Sequence, residues 1–389
     1  MPVFQHAFGD NQLERYPTTH DPSLLPWDHA DHLLLQRTQQ WLTTSSPQSI
    51  NETEPQKHIL VINDHFGALS CALALAARLT HWNDSYLSHK ATEYNLKRNQ
   101  LPAISGASSH HSLPAQVDLI IIRPTKNLSF YRQQLTLLAY LYPATPILIG
   151  VMQKFITTNL RTINENFVDN LNPGRAEKKA RVLQGEMVSS VKQLPEEFSS
   201  FVIPPMRDVP SLIIANLPNV FSHQSLDIGA RFLIEHFPRD LNVTAIADLG
   251  CGNGVLSIVA SFYYPNSRIF GFDESYSAVR AAEETFRLND RSNGQFITSN
   301  IFSEASEQKF DLILCNPPFH QQRRTTTDTA HLMFKQSLQK LQPNGAMIVV
   351  ANRHLDYHKV LRKLFGNVTF IASNNKFVVL QSTFNPSEE

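Results

Sequence analysis

Asp248-Leu249-Gly250-Cys251-Gly252-Asn253-Gly254 closes the apolar run Ala245–Leu249 and leads into a longer apolar stretch, Val255–Tyr263. The first run has the length of a buried strand and the second that of a helix. Glycines at alternate positions between them let the backbone turn sharply and approach a ligand with no Cβ in the way. The helix beyond opens with N–H groups that have no partner inside it. A glycine pattern means something only between a strand and a helix, and here it has that context. The spacing is G-x-G-x-G, not the G-x-G-x-x-G of dinucleotide folds, and it favours S-adenosylmethionine as the ligand.

Nineteen residues past Gly254, at the end of the strand expected over Ser267–Phe272, stands Asp273. An acid there can accept both ribose hydroxyl protons, and that geometry serves either cofactor class. Asn300, just after the strand Gln295–Ser299, is placed to meet an adenine edge. Asn316-Pro317-Pro318-Phe319 then ends the strand Phe310–Cys315. Two successive prolines fix φ and remove N–H donors, so the Pro317 carbonyl points one way. With the Asn316 amide oxygen it offers two acceptors, enough for both hydrogens of an exocyclic amine. Accepting those protons moves a conjugated nitrogen toward a tetrahedral, nucleophilic state. Phe319 supplies a flat face for a base taken out of its stack. Positioning of the amine against a methyl donor then carries most of the rate.

Around these motifs the second half reads as alternating strands and helices: Ala245–Leu249, Ser267–Phe272, Gln295–Ser299, Phe310–Cys315, Ala346–Ala351, Val368–Ala372 and Phe377–Gln381. The last two are joined by Ser373-Asn374-Asn375-Lys376, the length of a hairpin turn. Five α/β units closed by an antiparallel hairpin are a class I methyltransferase sheet, and a plain dinucleotide domain lacks the hairpin. The first half begins with a helix over Trp27–Leu42 and has strands at His58–Ile62, Val117–Ile122 and Thr145–Val151, with a polar stretch at Asn170–Leu194.

The halves resemble each other. Gly67–Ser70 matches Gly254–Ser257, Asp84-Ser85-Tyr86 matches Asp273–Tyr276, and Asp118–Pro124 matches Asp311–Pro317, at offsets of 187, 189 and 193. A domain-scale duplication follows: an α/β chain of two tandem Rossmann-like units, 1–195 and 212–389, with 196–211 around Pro204-Pro205 and Pro210 as the linker. In the first unit the glycine loop has become Asn63-Asp64-His65-Phe66-Gly67 and the Asn-Pro-Pro-Phe element Arg123-Pro124-Thr125-Lys126. Two glycines and the amine acceptors are gone, and two cations have appeared. That suits a phosphate backbone better than methyl transfer. Arg323 and Arg324, in the polar loop Gln321–Asp328, are further candidates for RNA phosphate, and Lys178, Lys179 and Arg181 read as a solvated basic face.

Asp248–Gly254, Asp273 and Asn316–Phe319 resemble motifs I, II and IV of class I amino-methyltransferases, and Asn316–His320 resembles the bacterial ribosomal RNA guanine-N2 enzymes. Within that group Ala351–Tyr357, Ala372–Leu380, Asn219–Ser222 and Leu226–Arg231 are similar to the large-subunit methyltransferase G family, over nearly the whole chain. The resemblance implies a degenerate first domain that positions RNA and a catalytic second domain. It also implies S-adenosylmethionine as cofactor and a guanine of 23S rRNA as substrate. Asn316, Pro317, Pro318 and Phe319 are then catalytic. Phe221, Asp227, Asp248, Gly250, Gly252, Gly254, Asp273 and Asn300 then bind the cofactor. Small-subunit rRNA, a protein glutamine amide, or a non-catalytic RNA-binding assembly factor are the alternatives.

Composition is consistent with this and excludes other classes. The 389 residues are 42% hydrophobic and 17% charged, an ordinary globular balance that rules out disordered and fibrous chains. Basic and acidic residues number 34 each, and 201–389 alone holds 17 of each, so 1–200 holds the same. RNA must therefore be met by a local patch rather than bulk charge. The three cysteines, Cys71, Cys251 and Cys315, are too far apart for a disulfide framework or zinc site, so no metal is expected. No apolar run reaches a membrane span and the first residues do not read as a signal peptide, so a cytoplasmic monomer is expected.

Overall fold

The computed structural model describes residues 2–18, 21, 23–45, 56–108, 112–194, 196–222, 225–318 and 324–385. The chain divides into two compact units, Met1–Glu196 and Glu197–Glu389. The first opens with the hairpin β1 (Val3–His6) and β2 (Gly9–Gln12) and helix α1 (His29–Ser45), followed by β3 (His58–Ile62) and α2 (Ala68–Leu73). Next come β4 (Arg78–Trp82), α3 (Tyr86–Arg98), β5 (Ser105–Ala107), β6 (Leu119–Ile122), α4 (Leu128–Leu141) and β7 (Pro146–Met152). It ends with α5 (Thr158–Phe167), β8 (Val168–Pro173) and β9 (Ala180–Met187).

The second unit begins with β10 (Ser199–Ile203), β11 (Leu212–Asn216), α6 (Ile228–Glu235), β12 (Ala245–Leu249), α7 (Val255–Tyr263) and β13 (Arg268–Asp273). It continues through α8 (Tyr276–Leu288), β14 (Gly294–Thr298), β15 (Phe310–Cys315), α9 (Arg324–Lys340) and β16 (Leu341–Asn352) to α10 (Tyr357–Phe365), β17 (Thr369–Ser373) and β18 (Phe377–Thr383).

Each unit builds one seven-stranded sheet, and the two orders are the same: β5-β4-β3-β6-β7-β9-β8 and β14-β13-β12-β15-β16-β18-β17. Five strands run parallel, and β9 and β18 run antiparallel to both neighbours. The duplication read from local matches is therefore a duplication of topology. Successive side chains of a strand face opposite sides. Ile246 of β12 packs with Leu256, Ile258 and Val259 of α7, while Ala247 and Leu249 pack with Met333 and Phe334 of α9 and Leu361 of α10. The central strand β12 is thus apolar on both faces, as a parallel strand between helix layers must be.

The structure corrects two readings of the sequence. Ser199–Ile203 pairs antiparallel with Leu212–Asn216, so most of the expected linker is a hairpin of the second unit. Pro204-Pro205 end its first strand, and Met206 and Val209 close the turn. The polar stretch at Asn170–Leu194 contains β9, an inner strand that buries Ala180, Val182, Leu183 and Met187. Its polar residues hid the strand. The boundary of the duplication also differs by one residue. Strand pairing sets Trp82 opposite Ile62 as it sets Phe272 opposite Leu249, so Asn83, not Asp84, occupies the position of Asp273.

Candidate functional site

Strand register assembles the motifs. Leu249 lies between Phe272 of β13 and Cys315 of β15. The next residue of each strand is Gly250, Asp273 and Asn316, so the three meet at the carboxyl edge. The strand order reverses between β12 and β15, the crevice where open parallel sheets bind ligands.

All three glycines of the loop have positive φ, 76°, 54° and 78° for Gly250, Gly252 and Gly254. Their surroundings separate their roles. A Cβ on Gly254 would lie 2.9 Å from the Cβ of Ala282, so Gly254 permits the approach of α7 and α8. A Cβ on Gly252 would meet nothing within 4 Å. The first unit keeps only the packing glycine, Gly67, whose Cβ would lie 2.8 Å from Thr92 Cα. Asn63, at φ 62°, keeps the turn that Gly250 makes and donates to the Trp82 carbonyl as Gly250 does to that of Phe272.

The carboxylates are held by backbone. Asp273 Oδ2 accepts from Gly252 N at 2.9 Å and its Oδ1 from Ser275 N at 3.0 Å. Asp248 is buried, and its Oδ2 accepts from Ser257 N at 3.0 Å and Ser257 Oγ at 2.6 Å. Its Oδ1 is buried with no hydrogen-bond partner. Burial pushes the Asp248 carboxyl up to about 6, against the Ser257 hydrogen bonds. A folded pKa above the 3.8 of the free side chain means that folding binds a proton, so stability is fully present at low pH and is lost as pH rises from about 4 to about 6. Asp248→Asn should remove about 3 kcal/mol of that fall, read as a flatter plot of denaturation free energy against pH. Asp31 and Asp64, also raised by burial, supply slope that remains.

Asn316 has a different environment. Its Nδ2 donates to Asp227 Oδ2 at 3.3 Å, and its Oδ1 is buried with no partner among the described residues. Asp227 caps α6, and the same Oδ2 accepts from Ala230 N at 2.9 Å. The carboxylate fixes which way the amide faces, because only the NH2 end can donate to it. The oxygen end is left as the free acceptor. Asp227, expected from the family resemblance as a cofactor residue, thus lies against Asn316. Pro317 is buried and Pro318 exposed, Phe221 is 60% exposed, and Asn300 is half-buried beyond β14 with its N–H on Ser303 Oγ. Phe319 and Arg323 lie outside the described residues. Arg324 opens α9, but its side chain is outside them too. Cys251 and Cys315 are buried and burial raises both thiols, which suits packing rather than nucleophilic roles.

The first unit closes the same edge with its own side chains. The Asn63 amide donates to the Arg123 carbonyl at 2.8 Å and to Gln134 Oε1 at 3.0 Å, bridging loop and strand. Arg15 stacks over the Phe66 ring at 4.5 Å. Arg123 corrects an expectation: its guanidinium is paired with Asp28 at 2.7 Å and with Asp31, and its side chain is only 18% exposed. A cation neutralised by two carboxylates is not offered to phosphate. Sequence reasoning missed those partners, which lie more than ninety residues earlier. Lys126 is exposed. Among the described residues no group of His, Cys, Asp and Glu could hold a metal, and no helix is long and apolar enough to cross a membrane.

Comparison with known proteins sets this geometry in a family. Residues 211–381 match the methyltransferase small domain and residues 1–189 the RLMG N-terminal domain. The fold is that of a 16S rRNA N2 methyltransferase from T. thermophilus solved in complex with AdoMet and guanosine. The TM-score is 0.76 at 18% identity, over 98% of this chain and 97% of that one. The ribosomal RNA large subunit methyltransferase G of Pseudoalteromonas translucida is 36% identical over 98% of this chain and 99% of its own length. The protein of the same name from Photobacterium profundum is 37% identical over 95% and 96%. With two units of one topology, both family models matched and relatives above 30% identical over nearly the whole length, the chain belongs to the ribosomal RNA large subunit methyltransferase G family.

Proposed function

We propose that the chain transfers a methyl group from S-adenosylmethionine to the exocyclic N2 amine of a guanine in 23S rRNA. The observation that carries this is the unpartnered, buried Asn316 Oδ1 one strand away from the glycine loop. A buried acceptor without a donor is costly to fold, and a substrate amine supplies the donor.

The residues present fit the cofactor. Gly252 leaves space where a Cβ would intrude, and the Asp273 carboxylate stands at the edge of that space, on Gly252 N. Gly250, Gly252, Gly254, Asp248, Asp273, Asn300 and Phe221 would hold it. Bound there, the cofactor supplies an electrophilic methyl on a sulfonium centre. Asn316 Oδ1 and the Pro317 carbonyl would accept the two amine protons and aim the nitrogen lone pair. Asp227 would keep the Asn316 amide from flipping. Phe319 would stack on the guanine. A monomer working on rRNA in the cytoplasm is the reading that goes with this site. The first unit would position RNA, with Lys126, Arg323 and Arg324 as contacts.

Full-length protein with methyl-labelled cofactor should label protein-free 23S rRNA at one N2-methylguanine and leave 16S rRNA unlabelled. Label in 16S rRNA, in protein, or nowhere would reject the assignment. The glycines give a second check. Gly252→Ala should cost about 1–2 kcal/mol in stability and at least tenfold in cofactor affinity. Gly254→Ala should cost about 2–5 kcal/mol, since strain and a steric clash add, read by denaturation.

A further inference from the structure

At the carboxyl end of β7 the first unit carries a turn that its sequence makes unfavourable. Glu177 N donates to Ala180 O at 2.9 Å and Ala180 N to Glu177 O at 2.7 Å, leaving Lys178 and Lys179 as the two residues of a tight hairpin turn. Their φ angles are 42° and 64°. Such turns are made by Asn-Gly because side chains with a Cβ are strained there. Strain of this kind persists where something else selects the residue.

Both lysines are exposed, and among the described residues neither they, nor Arg175, nor Lys154 forms an ion pair. Gln153 N donates to Lys179 O at 2.8 Å, fixing the turn against Gln153–Phe155. There Lys154 Nζ lies 4.9 Å from the centre of the Phe155 ring, which is 46% exposed. From 173 to 181 four cations face one acid, Glu177, whereas the rest of the unit holds 13 basic and 15 acidic residues. The equivalent corner of the second unit repeats the bond, Arg353 N to Lys376 O at 2.9 Å, and again carries exposed cations.

We infer that Lys154, Phe155, Lys178 and Lys179 grip a single-stranded RNA segment, the ammoniums on phosphates and Phe155 against a base. The inference rests on the proposed rRNA substrate. Compact charges on mobile stems suit phosphate oxygens, and an exposed ring beside them suits a base of any identity. It replaces Arg123, already neutralised, as the first unit's contact with RNA.

The test is Lys178→Asn with Lys179→Gly in the full chain. That turn is the favoured one, so the unfolding midpoint should rise and cofactor affinity stay unchanged. Affinity for protein-free 23S rRNA should fall at least tenfold. The slope of log affinity against log salt should become shallower by roughly 1.4, for two single-strand phosphates lost. Phe155→Ala should weaken binding without changing the slope. Unchanged rRNA affinity and slope in the turn variant would overturn the inference. So would a loss seen only on protein-containing ribosomal particles, which would make the turn a protein-docking element. If the parent chain itself neither binds nor labels rRNA, the proposed substrate fails instead, and the parent control shows which has failed.

Discussion

Asn316→Ala is expected to lower kcat by about 10²- to 10³-fold, about 3–4 kcal/mol of barrier, with cofactor affinity nearly unchanged. The lost oxygen has no role in holding the described fold, because among the described residues nothing donates to it. Its work is confined to the reacting amine, so the effect belongs in kcat rather than in KM. Asp227 provides the control that separates chemistry from structure. One oxygen of that carboxylate both caps α6 and receives the Asn316 amide. Asp227→Ser keeps a capping hydroxyl but is too short to reach Asn316, so stability should hold while kcat drops about tenfold. Asp227→Asn retains an acceptor at the same place and should restore most of the rate. Equal rates in the two Asp227 variants would show that the amide needs no orienting partner. Near-normal turnover in Asn316→Ala would remove the amine clamp altogether.

The parts of the site that were legible in the sequence are local. Strand, glycine loop and helix follow one another within nineteen residues, and Asn-Pro-Pro ends a run of buried apolar residues. Parallel pairing then brings such strand ends together without further information. The parts that were not legible depend on partners far away in the chain. Arg123 reads as a free cation until Asp28 and Asp31 are seen beside it. Asp84 looks like the equivalent of Asp273 when residues are matched by identity, and strand register moves the match to Asn83. The β8–β9 hairpin was hidden by charged residues, although the repeat itself called for it: a second unit closed by an antiparallel pair implies a first one. Pro204-Pro205 misled for a related reason, since a proline pair ends a strand as readily as it marks a linker.

Asp273→Ala should weaken cofactor binding by about 10²- to 10⁴-fold, because two ribose hydroxyls lose a charged acceptor at about 1.5–3 kcal/mol each. The alanine variant alone is ambiguous, since the carboxylate also holds Gly252 N and Ser275 N. The first unit shows how to resolve this. Asn83, at the equivalent position, accepts from Ser85 N at 3.0 Å, the same bond at the same length that Asp273 makes to Ser275. An amide therefore keeps the bond to the serine that opens the helix. Asp273→Asn should keep that bond but lose the one from Gly252 N, because its NH2 end cannot accept, so its midpoint should fall less than that of Asp273→Ala while cofactor binds at least tenfold more weakly, measured by calorimetry. Comparing the two variants separates the turn from the charge. If Asp273→Asn binds as tightly as the parent, the charge is not used. Asp273 would then be a structural residue of the loop, and the substitution at Asn83 would no longer count among the changes that emptied the first unit of its activity.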